Sequence, residues 1–213
     1  MNKIIIITCI SLVISLINYG QSRESQSNQK NEDIKTFMGN DRSFGGYGAF
    51  SFGYTTINNK FVFTASGQGA FVIGHDFALG FRGVGFTKHY DYWAQNETGL
   101  AGGYGGLFME PILFPKFPIH VAFPITIGFG FVSVTSYDNY FIDDFSKGAD
   151  GFIVFEPGLE VEFNIIKMFR IALDFRYRFT SNVNLLDSAD NHLFDKNVLF
   201  GFTTGITFKL GKF

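Results

Sequence analysis

The chain has 213 residues and a formal net charge of −2. That length suits one domain, and the near-neutral charge implies no nucleic acid or other polyanion as partner. Phenylalanine is the outlier at 29 residues, beside 25 glycines and 5 prolines, a balance that suits many strands better than helices.

The N-terminus reads as a secretory signal. Lys3 precedes the apolar run Ile4 to Ile17, and Asn18-Tyr19-Gly20-Gln21 follow. The run is short for a membrane-spanning helix and right for the core of a signal peptide. We assign 1–20 to a cleaved signal peptide; an N-terminal anchor helix is the competing reading. The sole cysteine, Cys9, lies inside the run. The cleaved chain would then carry no thiol, which removes disulfides, thiolate metal sites and cysteine nucleophiles. Residues 21–42 are polar and without period, and are expected to form a flexible leader.

From residue 43 the chain alternates. Apolar residues at every second position fall on one face of a strand. The pattern predicts strands over 44–54, 61–73, 77–88, 99–113, 119–133, 152–163, 169–179 and 199–210. Asn58-Asn59 and Gly74-His75-Asp76 read as turns. Pro124 inside the fifth strand predicts a bulge. At roughly 11–15 residues, each strand is long enough to cross a bilayer at a tilt. No later stretch offers an uninterrupted apolar helix, so a membrane form must be a closed barrel. From the second connection onward, short and long connections alternate, as in barrels with short periplasmic turns and long extracellular loops. The expected fold is therefore all-β: an eight-stranded antiparallel transmembrane β-barrel of up-and-down topology over 43–213. A soluble lipocalin-like barrel would need the reverse packing, apolar inside and polar outside.

The stretch 152–179 shows the pattern most sharply. Odd positions carry Ile153, Phe155, Leu159, Val161, Phe163, Ile171, Leu173, Phe175 and Tyr177; even positions carry most of the charge. Across the strands, the predicted inner face holds Arg82, Lys88, Arg170, Arg176, Arg178 and Lys209 against Glu110, Glu156, Glu160, Glu162 and Asp174, with His120 as a further partner. An eight-stranded barrel is just wide enough for side chains to fill, and buried charges need partners. We therefore expect a structural interior ion-pair network of Arg82, Glu110, His120, Glu156, Glu160, Glu162, Arg170, Asp174, Arg176 and Arg178. With Ile166 at the centre of the turn, Glu162 would face Arg170 and Glu156 would face Arg176. A register slip of two would change the partners and keep them inside.

The alternating strands, the signal and the aromatic ending Phe208-Lys209-Leu210-Gly211-Lys212-Phe213 resemble small outer-membrane β-barrel proteins of Gram-negative bacteria, of the OmpA-transmembrane-domain and OmpX type. Glu156-Pro157-Gly158, Arg176-Tyr177-Arg178 and Gly211-Lys212-Phe213 also resemble a further group of outer-membrane barrels, a likeness that implies no activity. The resemblance implies location in the outer membrane, contact with its lipid and lipopolysaccharide, and recognition of the C-terminal strand by the barrel-insertion machinery.

Candidates for chemistry are sparse. His75-Asp76 belongs to a turn. His89 near Asp91 could serve a lipid-modifying site only if Ser133 or Ser136 came close in three dimensions. Asp138, Asp143, Asp144 and Asp150, then Asp187, Asp190 and Asp195, are loop carboxylates with no calcium-site spacing. Gly102-Gly103-Tyr104-Gly105-Gly106 lacks the lysine and the helix of a phosphate loop and suits close packing in the wall. No cofactor, metal or catalytic residue is expected. The sequence reads as a non-enzymatic outer-membrane barrel with a structural or surface-interaction role through loops 134–150 and 180–198. A narrow pore and a lipid-modifying enzyme are the alternatives.

Overall fold

The computed structural model describes residues 43–58, 60–87, 99–135, 149–185 and 194–213. The chain divides into two units, Met1–Phe37 and Met38–Phe213, and every described residue belongs to the second. The signal peptide (1–20) and leader (21–42) lie outside the described residues, as do Lys88, His89, Asp91 and most of the loop carboxylates.

Regular structure among the described residues is all strand: β1 (Phe44–Ile57), β2 (Lys60–Ile73), β3 (Phe77–Thr87), β4 (Gly99–Leu113), β5 (Ile119–Ala122), β6 (Ile125–Thr135), β7 (Ala149–Ile166), β8 (Phe169–Thr180) and β9 (Gly201–Lys212). Apart from β5 and β6, which do not pair with each other, each pairs antiparallel with its chain neighbours, and β1 pairs with β9 to close the ring. Closure leaves no strand edge unpaired, the condition for a sheet in hydrocarbon.

The nine segments form eight walls, because β5 and β6 are two halves of one strand. Both lie between β4 and β7. The bulge expected at Pro124 is not there. Ala122 pairs with Glu160 and Ile125 with Pro157, so the register runs through the break unchanged. Proline lacks an N–H and drops out of the ladder, while the Gly158 N–H still donates to its carbonyl at 2.8 Å. The ladder instead shifts between Asn164 and Ile166 of β7, beside the Lys167–Met168 turn.

That shift corrects the hairpin register. Glu162 faces Ala172, Glu160 faces Asp174 and Gly158 faces Arg176. The turn lies at Lys167–Met168 and not on Ile166, which moves the partners by three, and the one-residue shift in β7 takes one back, so every partner moves by two and the charges stay on the inner face with different neighbours. Glycine at 158 is needed here: a Cβ would come within 2.7 Å of the Arg176 Cγ. Between β4 and β6, Gly106 pairs with Gly128, where a Cβ on Gly106 would meet the Ile127 carbonyl oxygen at 2.1 Å.

The alternation sorts side chains as the sequence implies. Phe61, Phe71, Phe81, Phe129, Phe131 and Ile153 point outward and are each two-thirds or more exposed, whereas ten charged side chains of the strands are buried inside. A water-soluble sheet would show the reverse. One end of the barrel gathers the turns 74–76, 114–118 and 167–168 with Ser43 and Phe213; at the other lie the strand ends Ile57 and Lys60, Thr87 and Gly99, Thr135 and Ala149, with residues 181–185 and 194–200.

Candidate functional site

The lumen is the one place where functional side chains collect among the described residues, and it is filled in three layers. The short-turn end holds Tyr47, Ala49, Ala70, Val72, Ala78 and Phe108, with Phe213 packed against them. The C-terminal aromatic is out of phase with the outward Phe208 and Leu210 because it belongs to the inner row of Thr207 and Lys209. Its ring stacks on Tyr47 at 5.4 Å, and the Arg170 guanidinium lies over it at 3.9 Å, a favourable cation–π distance.

The middle layer carries the charge. Among the described residues five cations (Arg82, Arg170, Arg176, Arg178, Lys209) and five anions (Glu110, Glu156, Glu160, Glu162, Asp174) are buried. Lys209 is its hub. Its Nζ lies 2.8 Å from Glu110 Oε2, 2.6 Å from Glu160 Oε2 and 2.6 Å from Glu162 Oε1. An ammonium has three N–H donors, and they go to both oxygens of Glu110 and to Glu162. Glu160 Oε2 receives charge without a hydrogen bond. Those three carboxylates have the proximity of a metal-ligand set, but the space between them holds the lysine head, which supplies the balancing charge.

Further partners surround this hub. Arg170 Nη1 donates to Glu162 Oε2 at 3.0 Å, and His120 Nε2 lies 2.7 Å from the same oxygen. Arg176 pairs with Glu160 and reaches Asp174 at 3.4 Å, and Asp174 also accepts from the Thr207 hydroxyl at 2.8 Å. Toward the long-loop end, Arg82 pairs with Glu156 at 3.3 Å, and Tyr104 donates to Glu156 at 2.5 Å. Tyr47 donates to Glu110 at 2.8 Å. Isolated buried charges would each cost several kcal/mol; here each carboxylate has at least one charged or hydroxyl partner.

Arg178 departs from the expected pattern. It is buried, but its Nε donates to the Leu199 carbonyl at 2.8 Å and its Nη2 to the Thr56 carbonyl at 3.5 Å. Its guanidinium lies 5.3 Å from the Phe86 ring and 5.7 Å from that of Tyr104. It anchors the third layer, an apolar cluster at the long-loop mouth. Ile57, Val62, Val84, Phe86, Leu100, Val132, Phe152 and Val154 of the strands meet Val183, Leu185, Val198 and Leu199 of the last connection there. Asp150 pins that connection: its carboxylate accepts from the Gly151 and Asn184 backbone N–H groups at 2.8 and 2.7 Å. The described part of 180–198, expected to face outward, thus turns apolar side chains into the barrel.

The structure brings nine of the ten sequence-assigned residues into carboxylate-centred contacts and sets Arg178 apart. Lys209 was legible as an inner-face cation, but its place as hub was not. Tyr47 and Tyr104 sit in phase with the charged positions, which is the signal that could have marked them. The aspartates of 136–148 and 186–193, His192 and the His89–Asp91 pair lie outside the described residues.

No family model matches the sequence, and no curated protein does. Solved structures do. The barrel is similar to Neisserial surface protein A, with 12% identity and a TM-score of 0.56 over 80% of this chain and 97% of that one. Looser matches are the attachment invasion locus protein Ail of Yersinia pestis (9% identity, TM-score 0.48, 79% and 99% covered) and the N-terminal β-barrel domain of Pseudomonas aeruginosa OprF (11%, 0.45, 80% and 98%). At such identities the likeness is one of fold: the architecture is that of the small eight-stranded outer-membrane barrels.

Proposed function

We propose that this chain is a non-enzymatic integral outer-membrane protein whose barrel is a closed, filled scaffold, presenting the connections 58–59, 88–98, 136–148 and 181–200 to the outside. The observation that carries this reading is the inversion of the usual polarity: apolar outside and a charge-balanced, buried inside. Lipid accounts for the first. For the second, five cations against five anions with hydroxyl partners make a dry structural filling, where a selective pore would carry an excess of one sign. The role is structural or one of surface interaction through the outer connections. The short-turn end faces the periplasm on this reading.

The test is conductance with folding verified. Protein extracted from the outer-membrane fraction should shift its gel mobility on boiling and give no step conductance in planar bilayers. Stable, ion-selective steps from heat-modifiable protein would contradict the filled scaffold and support the narrow pore.

A further inference from the structure

The rim at the short-turn end is uneven. One turn is small and polar: Gly74-His75-Asp76, with positive φ at Gly74 and His75. The other two are neither. Phe114-Pro115-Lys116-Phe117-Pro118 exposes Phe114 (68%) and Phe117 (61%), and Ile165, Ile166 and Met168 of the adjacent turn are each more than half exposed. The strands β5 and β7 pair beneath them. Asn164 ties the two turns together: its Nδ2 donates to the Phe117 carbonyl at 2.8 Å, and its backbone N–H to the Pro118 carbonyl at 2.9 Å. Together they make one braced lobe.

The residues at its tips are wrong for water. Turn tips at an aqueous rim favour glycine, asparagine, aspartate and serine. Phe114 instead holds a left-handed backbone, φ 58°, a strained conformation for a bulky residue. Its ring meets Phe117 edge-on at 6.1 Å. Below the lobe the apolar surface continues without a break into the barrel wall through exposed Ile119 and half-exposed Leu159 and Leu173.

Basic groups rim this surface. Lys116, Lys167 and Lys212 are exposed, and among the described residues none has a carboxylate partner. Between the β7–β8 turn and the end of β9 lies an open cleft where Lys167, Arg170 and Lys212 face Ile166, Met168 and Phe213. No acidic side chain lines it. An apolar floor with cations at its edge matches an acyl–glycerol body carrying a phosphate.

We propose that this lobe and cleft form an interfacial seat for anionic glycerophospholipid of the periplasmic leaflet. The lobe dips below the phosphate plane while the 74–76 turn stays in water, so the barrel sits tilted toward its β4–β9 side. The proposal rests on the membrane reading above.

Tryptophan reporters in a Trp93→Phe background, reconstituted in phosphatidylethanolamine–phosphatidylglycerol vesicles, test it. Phe117→Trp reports on the lobe and Phe129→Trp on the wall. The expected result is blue-shifted emission from both, with Phe117→Trp quenched by bromines near the carbonyl end of the acyl chain and not by aqueous iodide. Iodide quenching of Phe117→Trp with lipid quenching of Phe129→Trp would overturn the seat, leave the barrel intact and free the lobe for a soluble partner. Iodide quenching of both would overturn the membrane reading itself. Spin-labelled phosphatidylglycerol should associate in preference to phosphatidylcholine. The variant Lys116→Gln/Lys167→Gln/Lys212→Gln should lose about fivefold of that preference per lysine engaged. An unchanged preference would overturn the anionic headgroup.

Discussion

The middle of the lumen and its long-loop mouth are filled by opposite kinds of residue. In the middle, every charged side chain comes from a strand, and pairing partners are fixed by register: Lys209 meets Glu110, Glu160 and Glu162 because β9, β4 and β7 cannot slide. At the mouth, four of the thirteen buried residues, Val183, Leu185, Val198 and Leu199, come from a connection folded onto the strand residues. The first region is specified by partners, the second by area removed from water. Buried ion pairs are costly to break and contribute little net stability over apolar packing, while an apolar cluster loses stability in proportion to the volume deleted. Arg178 joins the two, donating to the Leu199 carbonyl from within the barrel.

This contrast can be broken most sharply at Lys209. Lys209→Met leaves three buried carboxylates around an apolar side chain, and should cost about 3–5 kcal/mol in urea unfolding from lipid vesicles. Adding Glu110→Gln and Glu162→Gln should recover a large part of that loss, since the penalty is uncompensated charge and not lost volume. A Lys209→Met barrel as stable as the parent would mean that the middle layer is wet. Leu199→Ala tests the mouth. It should cost about 2–4 kcal/mol by cavity formation, leave the strand circular dichroism unchanged, and gain nothing from any charge substitution in the middle layer. Tyr104→Phe has the smallest expected effect, about 1–2 kcal/mol. It removes the hydroxyl from Glu156, which keeps Arg82 at 3.3 Å.

The same contrast explains what could be read from the sequence. Period two places Glu110, Glu156, Glu160, Glu162, Arg82, Arg170, Asp174, Arg176 and Arg178 on the inner face, because a strand has only two faces. It does not place them opposite one another: neither the turn at Lys167–Met168 nor the ladder shift beside Ile165 carries a sequence mark, and together they set the hairpin partners of Glu162 and Arg176 two residues from those a turn centred on Ile166 would give. Pro124 suggests a bulge that does not form, since its missing N–H interrupts hydrogen bonding without adding a residue. Phe213 looks out of phase only against Phe208; against Lys209 it is in phase, inside. Val183, Leu185, Val198 and Leu199 show no period, because a connection packs by where its ends are held, here by Asp150. The turn at 114–118 was legible as a turn, but its exposed aromatic tips acquire meaning only beside the turn that β5–β7 pairing brings next to it.

The central claim is that the charged face is sealed inside and the apolar face meets lipid, and thiol accessibility tests it most directly. In a Cys9→Ala background, Leu173→Cys places a thiol on the outer wall and Thr207→Cys, near-isosteric at a fully buried position, places one inside. In native membranes Leu173→Cys should react with a membrane-partitioning maleimide and not with a sulfonated one, and Thr207→Cys should react with neither until the protein is unfolded. Rapid labelling of Thr207→Cys by the sulfonated reagent, with Leu173→Cys protected from both, would contradict the account and indicate a sheet whose charged face is in water.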